Sequence, residues 1–179
     1  RQDEGFRSGA SADGFAKLRP VFIKDGSVTA ANASQISDGA AVVLVASEAA
    51  LEKHGLTPLA EITGYAAGGL APEWVMMAPQ KAMENLTSLT GVAAQDFDIL
   101  EVNEAFSAAA CALTQELKLD ASRVNVHGGA VALGHPIGAS GARILTTLLY
   151  AMKRQGASTG AATLCLGGGN AVALAVKSC

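Results

Sequence analysis

Three short stretches hold the residues able to do chemistry: VNEAF at 102–106, LGHPIGASG at 133–141 and CLGGG at 165–169. His135 stands between Gly134 and Pro136. Proline fixes its own φ and steers the preceding residue away from helix, so this stretch reads as a rigid bend presenting one imidazole. Cys165 closes an apolar run, and the three glycines after it expose successive backbone N–H groups suited to an anion. A buried structural thiol ahead of a hairpin turn is the alternative, although a two-residue hairpin does not need three glycines. Asn103 falls where an apolar strand gives way to a helix. It can cap that helix, or its amide can hold a water or a carbonyl at the strand's C-terminal end, where α/β sheets place their sites. A thiol and an imidazole can divide proton transfers, and backbone and amide N–H groups can stabilise an oxyanion. The set suits a thioester or β-ketothioester carbonyl.

Nucleotide chemistry fits the same glycines poorly. Pro136 occupies the place of the second glycine in a dinucleotide fingerprint, which blocks close approach of the backbone to a pyrophosphate. GAVALGH at 129–135 has His where a phosphate loop needs Lys. A formal charge of −3 and the lack of a basic, aromatic-laced stripe argue against nucleic acid. Three scattered cysteines without a CxxC point to a reducing, cytoplasmic setting rather than a disulfide scaffold or metal site. The apolar runs 39–47 and 171–176 are too short to span a bilayer. The opening RQDEGFRSGASADGF, with no Met, reads as a segment internal to a longer protein, or as a processed chain.

The elements that must position these residues follow from patterning. Residues 1–20 are loop-like, with a short helix near 14–18. AAVVLVAS (40–47) is a continuous apolar run and predicts a strand buried on both faces. Ser47 and Gly55 bracket a helix. Strands are expected at 59–65 and 97–102, and helices at 79–89, 103–118 and 140–155. GAATLCLGG and NAVALAVK predict a hairpin turning at Gly168 and Gly169. This order gives an α/β fold whose mixed sheet closes on an antiparallel hairpin.

NEAF, GHPIGASGAR and CLGGG, in this order and spacing, resemble the C-terminal half of the thiolase family, most of all its biosynthetic acetoacetyl-CoA branch. KLRPVF (17–22) and VTAANASQISDGAAVVL (28–44) fit the same pattern, so the resemblance covers nearly the whole chain. It implies a layered α-β-α fold with helices on both sheet faces. It assigns residues 1–35 to the tail of a loop domain, 36–57 to the last strand and helix of an N-terminal domain, and 58–179 to a C-terminal domain. The implied activity is acyl transfer: two acetyl-CoA condense reversibly to acetoacetyl-CoA and CoA through an acyl-cysteine whose nucleophile lies outside this chain. His135 then activates that cysteine and lends its N–H to an oxyanion hole, and Asn103 holds the water completing the hole. Cys165 moves the α-proton. The Gly167 N–H serves a second oxyanion hole, and Ser34 contacts the pantetheine arm of coenzyme A. No cofactor or metal is implied beyond the CoA thioesters, and a homo-oligomer, dimer or tetramer, is expected. The alternatives are a degradative 3-ketoacyl-CoA thiolase and a non-catalytic CoA- or lipid-binding fragment. Cys111 is expected in core packing, Cys179 as a bystander, and His127 as a surface or packed residue.

Overall fold

The computed structural model describes residues 3, 5 and 7–179; the part of the loop-like reading of residues 1–20 that falls on Arg1, Gln2, Glu4 and Phe6 lies outside them. Four strands form one mixed sheet: β1 (Ala60–Gly69), β2 (Ile99–Val102), β3 (Thr159–Leu166) and β4 (Asn170–Ser178), in the order β1-β4-β3-β2. β4 runs antiparallel to both β1 and β3, whereas β2 and β3 are parallel. Because β2 and β3 are parallel, Val102 and Thr163 sit side by side and both strands deliver their C-terminal ends to the same edge. Asn103 leaves β2 there, its N–H donating to Thr163 O at 2.9 Å, two residues before Cys165.

Among the described residues six α-helices accompany the sheet: α1 (Ala12–Ala16), α2 (Glu48–His54), α3 (Ala78–Thr90), α4 (Ser107–Glu116), α5 (Ala130–Leu133) and α6 (Ser140–Gln155). Two separate cores show the layering. On one face Ala82, Met83 and Leu86 of α3 pack with Leu100, Val102, Ala173 and Ala175. On the other, Ile144, Leu148, Ala151 and Met152 of α6 pack on Ile99, Ala162 and Val176. The spacing of the α6 residues is a one-faced helical stripe, and each such side chain contributes roughly 1.5–3 kcal/mol when fully buried. Gly160 belongs to this fit: a Cβ there would press into Leu148 and Met152.

Local chemistry explains where the elements stop. Ser47 caps α2 through its hydroxyl, and Gly55 ends it in the left-handed region, as the sequence predicts. Ser11 caps α1 two residues earlier than the expected helix start at 14. β1 runs on past Tyr65 to Gly69, because β4 offers partners as far as Asn170.

Three expectations need correction. Residues 40–47 form no strand: no described strand lies alongside to accept their hydrogen bonds, and Val42, Leu44 and Val45 are left 91%, 79% and 70% exposed. The helix expected from 103 begins at Ser107, since Asn103–Phe106 stay outside any helix and Phe106, extended, bridges to Ala33. Cys111 is exposed rather than packed, because α4 is built of small residues and buries only Leu113 fully.

Candidate active site

The histidine bend is built as its sequence demands. Gly134 adopts φ 97°, and a Cβ there would strike the Ser37 hydroxyl. His135 is extended, bridging to Ile36, with its N–H donating to Gln35 O at 3.1 Å. The 32–37 segment thereby threads between two motifs. Ser107 N–H donates to Asn32 O at 2.9 Å, and Ser34 N–H to Ala105 O at 3.0 Å. Ser34 is thus fixed by its own backbone beside the NEAF turn, half-buried at the site's rim.

The imidazole is held at both nitrogens. Nδ1 lies 2.6 Å from Ser140 Oγ, and the Ser140 hydroxyl donates to Pro136 O at 3.0 Å. A hydroxyl has one proton, so Ser140 accepts from Nδ1–H and the neutral ring keeps a bare Nε2. Asn103 Nδ2 lies 3.4 Å from that nitrogen and donates to it. The amide's other end accepts from Arg143 Nη2 at 3.4 Å. Arginine has only donors, so this contact settles which end of the amide is oxygen. Burial, and then the Arg143 charge, hold the His135 pKa below its usual value and favour the neutral base.

Asn103 is therefore no helix cap. Phe106 occupies the N-cap position of α4. Glu104 does the fastening instead, accepting from Ser107 Oγ at 2.9 Å and from Val131 N–H at 3.0 Å at the start of α5.

Cys165 lies near the end of β3, opposite Ala171, and is half-buried. Burial pushes its thiol pKa up, so it rests protonated and is a strong base once it loses that proton. Gly167 opens the turn that follows, with open space where a Cβ would stand. Gly168 and Gly169 both take positive φ, and a Cβ on Gly169 would collide with Leu70 O. The third glycine thus answers a close approach of two backbones as well as the turn.

The structure brings His135 and Asn103 into contact and sets Cys165 and Gly167 at the end of the neighbouring strand, with Ser34 on the threading segment. His127 is exposed, as is Cys179. Sequence reasoning missed Ser140, Arg143 and Glu101. Signals existed: Ser140 follows His135 by five residues in a run of small ones, and Glu101 is a lone carboxylate inside an apolar strand.

Comparison with known proteins now has a geometry to rest on. The thiolase C-terminal domain family matches residues 56–178, and the thiolase N-terminal domain family matches residues 1–49. The chain belongs to the thiolase family. Among curated thiolases it is 54% identical over 175 residues to an acetyl-CoA acetyltransferase of Chromobacterium violaceum, covering 98% of this chain and 45% of that protein. An acetyl-CoA acetyltransferase of Rhizobium meliloti is 51% identical over 176 residues, again with 98% and 45% coverage. The crystal structure of the Bacillus anthracis acetyl-CoA acetyltransferase superposes with a TM-score of 0.95 at 44% identity, over 99% of this chain and 45% of that one. Human mitochondrial 3-ketoacyl-CoA thiolase in complex with CoA superposes with a TM-score of 0.90 at 39% identity, with the same 99% and 45% coverage. This thiolase chain thus spans about 45% of the length of the relatives it matches. Among the described residues no helix is long and apolar enough to cross a membrane.

Proposed function

We propose that the protein carrying this chain is an acetyl-CoA acetyltransferase. It condenses two acetyl-CoA reversibly to acetoacetyl-CoA and CoA, with CoA thioesters as substrates and no further cofactor. Kinship with the acetyltransferases supports the substrate class. A homo-oligomer working in the cytoplasm is expected from the family resemblance. The observation that carries the reading is the placement of His135, its Nδ1 against the Ser140 hydroxyl and its Nε2 facing Asn103.

The chemistry balances on these groups. Nε2 takes the proton of an acyl-accepting cysteine supplied from outside these residues. The resulting thiolate attacks the first acetyl-CoA, and the carbon–sulfur bond to CoA breaks. Cys165 protonates the departing CoA thiolate and becomes a thiolate itself. It then removes the α-proton of the second acetyl-CoA. The enolate oxygen is met by the Nε2–H now on His135 and by a water held on the Asn103 amide, donors of the kind that stabilise oxyanions. The enolate carbon attacks the acyl-cysteine, assisted at its carbonyl by the Gly167 N–H. The cysteine leaves as a thiolate and recovers its proton from His135. Ser34 would contact the pantetheine arm, as the family resemblance implies.

Cys165→Ala in the full-length protein tests this division. Condensation is expected to fall by at least about 10³-fold while labelled acetyl still transfers to the protein, since the first acyl transfer needs His135 more than Cys165. Equal loss of labelling and condensation would contradict the scheme. Assay with longer 3-ketoacyl-CoA substrates in parallel distinguishes the degradative alternative by a rising kcat/KM.

A further inference from the structure

Beneath the contact of Asn103 with His135 lie two charged side chains to which the reaction above gives no task. Alternation along β2 turns Ile99, Glu101 and Asn103 toward α6, while Leu100 and Val102 join the opposite core. Glu101 is 1% exposed, and its Oε1 is buried without a hydrogen-bond partner. Arg143 approaches from α6. Its Nη2 donates to Asn103 Oδ1, while its Nε is buried and unpartnered. Incompletely satisfied buried charges of this kind are poor sources of stability, and apolar replacements are often neutral or better. Their use lies in what they orient.

An Asn amide can turn over, and here the two orientations differ in consequence. With Nδ2 toward His135, the amide holds its water beside the protonated Nε2–H, and the two donors converge on one oxyanion. Turned over, Oδ1 would accept the Nε2–H and cancel the hole. We propose that Arg143 is a positioning residue: it locks the Asn103 amide with Nδ2 toward His135. The proposal rests on the acetyltransferase reading above. The Arg143 charge also opposes charging of His135, and Glu101 acts in turn on Arg143, so the four side chains form one electrostatic unit.

The test is a double-mutant cycle in the full-length protein. Arg143→Met is expected to lower kcat about tenfold with KM changed less than about twofold, and Arg143→Lys to restore part of the loss. In an Asn103→Ala background Arg143→Met should cost less than about twofold, because the amide it holds is gone. Equal losses in both backgrounds overturn the proposal. If Arg143→Met does not fold, Arg143→Gln carries the cycle, with a loss of about tenfold that likewise vanishes beside Asn103→Ala. A wild-type protein without activity on acetyl-CoA or acetoacetyl-CoA would remove the functional reading instead. The ring-nitrogen NMR shifts of His135 then decide the positioning: Nδ1-protonated in the wild type, with an Nε2-protonated population appearing in Arg143→Met. An unchanged tautomer overturns it.

Discussion

His135 and Glu101 respond to burial in opposite directions, and both responses suit the site. The imidazole is pushed toward its neutral form, whereas the carboxyl is held protonated up to about 7 against an ordinary 4.5, with Arg143 only partly opposing. The folded state therefore binds the Glu101 proton more tightly than the unfolded chain does. Its contribution to stability is full below 4.5 and is lost as pH rises through about 7. His135 works the other way, its contribution being lost as pH falls through its depressed pKa. Comparing the full-length wild type with Glu101→Gln cancels the histidine. Denaturant unfolding should show the glutamine variant gaining on the wild type between pH 4.5 and about 7, then a constant difference above. A difference that stays constant across that range would speak against a protonated buried carboxyl. His135, Cys165, Asn103, Gly167 and Ser34 were all legible as candidates from local sequence and resemblance. Arg143 was not, since an arginine on an amphipathic helix looks like solvent-facing charge until the strand beneath it is known.

Among the elements, those with their own punctuation could be read directly. α2 had its serine cap and glycine stop, α6 its apolar stripe, and the β3–β4 hairpin its glycines. The start of α4 was misread because NEAF has the composition of a helix but pairs its backbone with the 32–34 segment, Ala105 O accepting from Ser34 N–H, a tertiary pairing that propensity does not record. The hairpin turn offers the sharpest test at this scale. Gly169→Ala combines a φ of 88° with a collision against Leu70 O. Thermal unfolding should show a destabilisation of at least about 1–3 kcal/mol, and condensation should fall as the Gly167 N–H moves. Gly141→Ala meets nothing and lies inside α6, so it should be neutral or slightly stabilising.

For the molecule as a whole, the apolar run 40–47 was expected to be a buried strand, yet it forms none and pairs with nothing described. A strand needs a neighbour, and no pattern within the run says where that neighbour is. Ile36 and Ile137 are exposed as well. Polypeptide 1–179 produced alone is therefore expected to self-associate and to show no thiolysis of acetoacetyl-CoA above background. Static light scattering should register the association, and Val42→Lys with Leu44→Lys should reduce it. A monodisperse, catalytically competent 1–179 would require one of its own cysteines to accept the acyl group.

The threading of residues 32–37 between the NEAF turn and the histidine bend also has a bearing on time. Gln35 Nε2 reaches Val131 O across 96 positions of chain, whereas β3 meets β4 across a turn of three glycines. Closing a long loop costs entropy before any contact repays it, so short-range pairings lead and distant ones follow. The hairpin bearing Cys165 can form early, but the pocket around His135 closes only when residues 32–37 meet the histidine bend. A folding chain would thus acquire that hairpin before it acquires its chemistry, and the edge strand β1, which joins Ala60 to Ser178, comes late as well.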